Sequence, residues 1–231
     1  DPELARKVEE LRQRDQVTGL LNRPTFLLAL EGAVADAAQN GTQHGLLLIE
    51  PDHYQRLLHE IGLDSADTVM AAMADRLRNE LEPDAIAARF SENSFAVLLR
   101  NSDHAATSTL AARICNTFAA EVFVIGQRSS VITASIGGVQ ISQKNASVSQ
   151  SLAKAAQGVQ SAAGVGGNRL ELFDPNAVDR AETERIQVWV QRLRDAIDQK
   201  RFVLHFQPVI NLQGGNHPVY DTFLRLDGGE G

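Results

Sequence analysis

Ala88-Arg89-Phe90-Ser91-Glu92-Asn93-Ser94-Phe95-Ala96-Val97-Leu98-Leu99 is the stretch whose reading decides the fold. Two β-rich apolar runs, 86–90 and 95–99, flank the polar tip Ser91, Glu92, Asn93, Ser94. That pattern predicts a β-hairpin.

Working outward, residues 65–81 place Val69, Met70, Met73, Leu77 and Leu81 on one face of a helix. Before them, 46–49 is a continuous apolar run of the buried-strand kind and delivers Glu50 and Asp52 at its end. A helix is predicted over 24–39, behind Pro24, and a charged amphipathic helix over 1–14. After the hairpin come a helix over 105–120, two strands over 122–125 and 131–141 joined by 126–130, a helix over 148–163 stopped by 164–167, and a strand over 169–173. Helices and strands in this order predict an α/β domain with helices packed on a mixed sheet. Beyond Pro175 a charged helix over 179–200 carries the stripe Ile186, Trp189, Val190, Leu193, Ile197, the pattern of a helix that packs on a neighbouring surface. Strands over 202–210 and 219–226, separated by the turn-rich 211–218, read as the opening of a second domain. The division is thus an incoming helix (1–14), a main domain (15–175), a linker helix (176–201) and a fragment (202–231), and the whole reads as part of a longer protein.

Composition narrows the function. The chain has 231 residues and a formal net charge of −7, which argues against a general nucleic-acid or anionic-membrane binder. Cys115 is the single cysteine, so no intrachain disulfide forms, and it reads as a small core residue. No signal peptide or membrane-spanning run is present in the sequence, so a cytoplasmic location and no membrane insertion are expected. His44, His53, His59, His104, His205 and His217 lack metal-ligand spacing and suit loops or the surface; no bound metal or other cofactor is expected.

Residues 15–23 (Asp-Gln-Val-Thr-Gly-Leu-Leu-Asn-Arg), 46–52, Ser135-Ile136-Gly137 and Gly166-Gly167-Asn168-Arg169 together resemble the ordered motifs of diguanylate cyclase (GGDEF) domains. The hairpin tip stands where that family carries Gly-Gly-Asp/Glu-Glu-Phe, so Ser91, Glu92, Asn93, Ser94 and Phe95 form a vestige of it. The resemblance implies a GGDEF-type mixed sheet and assigns the remaining letters. Glu50 stands for the first metal carboxylate, Asp52 is kept, Asn93 replaces the second metal carboxylate, and Ser94 replaces the general base. Leu58 replaces the guanine-reading Asn, while its partner Asp67 is kept. Ala163 and Gly167 replace phosphate-binding cations, and Glu82 and Ala85 replace the Arg-x-x-Asp of the product site. Glu92 adds a charge beside a triphosphate, and two like charges about 4 Å apart repel by about 1–4 kcal/mol. Glu50, Asp52 and Asp67 therefore read as vestigial metal and nucleotide positions, with no catalytic residue.

Residues 202–210 and 220–226 resemble the start of an EAL domain, with Asp221-Thr222-Phe223 in place of Glu-Ala-Leu. The resemblance implies that Gln207, Phe223, Leu224 and Arg225 form one wall of a cyclic di-GMP pocket in a complete EAL domain, and that the fragment alone binds weakly or not at all. A degenerate GGDEF domain joined to a degenerate EAL domain is similar to regulators of type IV pilus biogenesis and twitching motility. What this implies is a catalytically inactive cyclic di-GMP effector whose partners are a PilZ-domain protein and the pilus assembly machinery. The flanking helices, 1–14 and 179–200, carry apolar stripes with charged faces, the design of elements that pack on neighbouring domains or on a second copy as a homodimer. The alternatives are a residual cyclase, a phosphodiesterase, or a GTP-sensing domain.

Overall fold

The computed structural model describes residues 1–210 and 219–226, and the turn expected over 211–218 lies outside them. The chain divides into two compact units, Asp1–Pro175 and Asn176–Gly231.

The first unit opens with helix α1 (Pro2–Arg12), capped by the Asp1 carboxylate, which accepts from the Glu3 N–H. A tight turn follows: the Asp15 carboxylate accepts from both the N–H and the hydroxyl of Thr18 at 2.8 Å, and Gly19 takes the left-handed φ of +70°. Helix α2 (Arg23–Asn40) starts at Asn22, whose side-chain oxygen accepts from the Thr25 N–H at 3.1 Å, and stops at Gly41 in the left-handed region. Strand β1 (His44–Pro51) leads to helix α3 (Tyr54–Ile61) and helix α4 (Ala66–Glu80). Strands β2 (Ile86–Ser91) and β3 (Ser94–Leu99) form the expected hairpin, tighter than the sequence suggests, with only Glu92 and Asn93 at the tip. Helix α5 (His104–Ala120), strands β4 (Phe123–Ile125), β5 (Arg128–Ser130) and β6 (Ala134–Ile141), helix α6 (Val148–Gly164) and strand β7 (Arg169–Phe173) complete the unit.

One element goes unread in the sequence and two expectations need correction. Helix α3 was not legible, because eight residues hold barely two turns of periodicity. The strand expected over 131–141 begins only at Ala134; the segment before it folds back, so that β4 pairs with β5 in a separate two-stranded ribbon. Phe123 and Ile125 of that ribbon enter the core beside Phe118. His44 is neither loop nor surface. It is buried on β1, where its Nδ1 accepts from the Asn101 N–H at 3.1 Å and its Nε2 lies 3.1 Å from the Asp36 carboxylate.

The five-stranded sheet has the order β2-β3-β1-β6-β7, antiparallel except for β6 with β7. Strand β1 is central and buried on both faces, which is why it reads as an unbroken apolar run. Leu47, Ile49, Phe95, Val97 and Ile136 point to the layer of α3, α4 and α5. Leu46, Leu48, Ala96, Leu98 and Val139 point to α2 and α6. Helix α6 lies close on β6 because Gly137 and Gly158 have no Cβ. One built on Gly158 would come 2.9 Å from the Gly137 Cα, and one on Gly137 would strike the α6 backbone. Helix α6 ends as the glycine cluster foretold: the Gly167 N–H donates to Ala162 O and the Gly166 N–H to Ala163 O, with Gly166 at φ +109°.

The second unit holds helix α7 (Ala177–Asp198) and strands β8 (Phe202–Val209) and β9 (Val219–Leu226), an antiparallel pair. Among the described residues, no helix is long and apolar enough to cross a membrane.

Candidate functional site

At one end of the sheet, the end of β1, the hairpin tip, the first turn of α3 and the turn after α6 line a cleft of about 480 Å³. Register puts Glu50 opposite Ser135, half-buried in this cleft, and burial raises its carboxyl pKa above the ordinary value.

Asp52 is fully engaged elsewhere. Its carboxylate accepts from the Thr133 hydroxyl at 2.6 Å, the Ser135 hydroxyl at 2.6 Å and the Asn168 N–H at 2.7 Å. Its own N–H donates to Thr133 O at 2.8 Å. The same carboxylate fills the space in which a Cβ at Gly167 would stand, and Gly167 has a φ of +74°. Glycine therefore fits where the phosphate-binding cation was expected, and a negative group occupies that corner of the cleft.

The tip closes on itself. The hydroxyls of Ser91 and Ser94 are 2.5 Å apart, and the Ser91 hydroxyl donates to the Asn93 side-chain oxygen at 3.4 Å. Asn93 lines the same cleft as Glu50. A divalent ion needs a shell of hard oxygens; besides the engaged Asp52, the acid and amide side chains that line this cleft are Glu50, Gln55 and Asn93. Among the described residues, no group of three or more His, Cys, Asp and Glu side chains could hold a metal ion. The neutral Asn93 amide is a poorer partner for such an ion than a carboxylate would be.

The base-reading positions are also redirected. Leu58 is buried in the core with Leu57 and Met70. Asp67 lies 3.5 Å from the Arg89 guanidinium. Arg89 is a residue that sequence reasoning passed over. It ties three elements together: the Asp15 carboxylate at 3.6 Å, Asp67, and the Glu92 carbonyl at 2.9 Å. Its signal in the sequence was a lone cation inside an apolar strand. On the opposite face of the hairpin, Phe90 is covered by the Arg23 guanidinium at 4.6 Å and meets Phe26 edge-on. Beneath the tip, the buried Tyr54 hydroxyl has no hydrogen-bond partner. Burial, then the charge of Glu92, pushes its pKa up.

Glu82 and Ala85 line a second cleft, of about 360 Å³, together with Arg100 and Arg113. Arg113 is committed to Glu80, with Nε 3.0 Å from its carboxylate and a further bond to its carbonyl.

In the second unit, Gln207 pairs opposite Asp221, His205 opposite Phe223, and Val203 opposite Arg225. Side chains directly opposite in an antiparallel pair share a face. Gln207, Asp221, Phe223 and Arg225 are thus on one face, and Leu224 is on the other.

Among curated proteins, the chain is similar to the cyclic di-GMP phosphodiesterase NbdA of Pseudomonas aeruginosa, 24% identical over 218 residues that make up 94% of this chain and 28% of that protein. It is also similar to the bifunctional diguanylate cyclase/cyclic di-GMP phosphodiesterase MucR of the same species, 23% identical over 96% of this chain and 32% of that one. The chain thus spans about a third or less of the length of these relatives. Among solved structures, the FimX GGDEF domain from Pseudomonas aeruginosa aligns with a TM-score of 0.65 and 26% identity, over 70% of this chain and 98% of that one. The family described as diguanylate cyclase, GGDEF domain, matches residues 12–169, and with the sheet order and cleft above this places the chain in the GGDEF domain family.

Proposed function

We propose that the chain is a non-catalytic module of cyclic di-GMP signalling, in which the GGDEF fold serves as a scaffold. The observation that carries this is the commitment of Asp52 to three donors. Among the described residues it leaves Glu50 as the one free carboxylate lining the cleft, and it fills the space beside Gly167. Residues 202–226 are, on this reading, the opening strands of an EAL-type cyclic di-GMP receptor. Arg225 is suited to a phosphate and Phe223 to a purine face. The alignment to NbdA takes in 94% of this chain, so it extends well past the end of the GGDEF match, which supports that reading. The tandem resembles FimX, in its Xanthomonas form by the run Phe223-Leu224-Arg225. Control of type IV pili and twitching motility through a PilZ-domain protein and the pilus assembly machinery is the corresponding role.

The test is direct. The chain is incubated with GTP and Mg²⁺ or Mn²⁺, and cyclic di-GMP is quantified by chromatography. No product above a heat-inactivated control is expected, and measurable synthesis overturns the reading. Calorimetric titration of cyclic di-GMP into the chain is expected to show no micromolar binding, because this hairpin supplies only one wall of a pocket.

A further inference from the structure

We infer that strand β7 is the contact through which two copies of this chain associate edge to edge, antiparallel about a two-fold axis at Leu170, so that Arg169 of each copy faces Glu171 of the other. The two edges of the five-stranded sheet differ. The β2 edge is closed by the chain itself: the Leu21 N–H donates to Ala87 O at 3.1 Å, and the Arg89 N–H donates to Leu21 O at 3.0 Å. The other edge is open. Strand β7 pairs with β6, and among the described residues no other segment makes a backbone hydrogen bond to 169–173. An open edge presents a row of unpaired N–H and C=O groups, a template for a further strand.

Side chains choose the second copy and the register. Leu170 and Leu172 turn to the layer of α3, α4 and α5. Alternation then puts Arg169, Glu171 and Phe173 on the α6 face, where all three are exposed. Lys154 of α6 lies over the Phe173 ring at 4.6 Å. Among the described residues, neither Arg169 nor Glu171 has an ion pair. One base and one acid two places apart on one face make the strand complementary to itself. With Leu170 opposite Leu170, the Arg169–Glu171 pair occurs twice, as an isologous interface requires. Turning about Glu171 instead sets like charges opposite each other, and turning about Leu172 sets Glu171 against Phe173. Charges of a single sign guard an edge against pairing, whereas this pair selects one register. There is room for it: a groove of about 290 Å³ between α6 and β7, with Gly158 and Glu171 in its lining, lies open beside the strand. Three facing positions make a contact below the ~1,200 Å² of a standard stable interface. The dimer is therefore weak and reversible, with a dissociation constant on the order of 100 µM.

Sedimentation equilibrium is run on the full chain from about 5 to about 1,000 µM, a range that brackets that constant. The expected result is a rise from monomer toward dimer mass, weakened by added salt. Arg169→Glu and Glu171→Arg each set like charges opposite one another twice, and each keeps the chain monomeric. An equimolar mixture of these two variants regains the dimer, because each chain then meets opposite charges, and the double swap within one chain regains it too. Glu31→Arg, at an exposed position of α2, leaves association intact. In the wild-type chain, hydrogen exchange of the β7 amides slows as concentration rises, while that of β8 does not. A monomer mass at every concentration overturns the inference, as does β7 exchange that does not depend on concentration. A dimer indifferent to the single charge reversals overturns it as well, and so does a mixture of the two folded variants that stays monomeric.

Discussion

At the scale of the residue, Asp52 shows how far a sequence motif and its geometry can part. Its identity was legible, but its use was not, because its partners stand 81, 83 and 116 positions away. Removing the carboxylate leaves two hydroxyls and one backbone N–H without their acceptor. Asp52→Ala is therefore expected to cost about 2–3 kcal/mol in urea denaturation. An unchanged midpoint would mean that the network does not matter to the fold. Glu50→Gln is expected to act in the opposite direction. Burial raises the Glu50 pKa, so the folded state prefers the protonated acid, and the ionised form works against folding. The wild-type chain is relatively most stable below the ordinary carboxyl value of 4.5 and loses that increment as pH rises through the higher folded-state value. Glu50→Gln should match the wild type near pH 4 and melt about 2 °C higher at pH 7. A gap that widens toward acid pH would refute the assignment.

At the scale of the element, the long periodic segments were readable because burial imposes their periods: β1 as an apolar run, α4 as a stripe, and the hairpin as two runs around a polar tip. The failures share a cause. Helix α3 and the β4–β5 ribbon are too short for periodicity to build up, and their places are set by what they pack on. The close seating of α6 on β6 is decided at two glycines, and its energetics can be isolated there. Gly137→Ala drives a methyl into α6 backbone, which cannot move aside as a side chain could, and should cost about 3 kcal/mol. Gly164→Ala, at the end of the same helix with no atom within 4 Å of its added methyl, should be neutral or stabilise by about 0.5 kcal/mol. Equal effects in chemical denaturation would mean that the seating of α6 is not tight.

At the scale of the whole molecule, the two units differ in what holds them together. In Asp1–Pro175 both faces of the sheet are covered by helices, and its central strand contributes Leu46, Leu47 and Ile49 with no exposed surface. Among the described residues of the second unit the sheet has two strands, and Leu204, Phe206, Tyr220, Phe223 and Leu224 are exposed. A two-stranded sheet without a covered face is marginal in water, so local opening there needs far less than global unfolding. Hydrogen exchange at low protein concentration should find the β1 and β6 amides slowest, opening only with the whole first unit. The β8, β9 and α7 amides should exchange at least ~100-fold faster, which corresponds to a gap of about 2.7 kcal/mol or more in opening free energy. If β8 and β9 exchanged as slowly as β1 at every concentration, the second unit would have a core of its own, and the view of its strands as part of a larger receptor would fail.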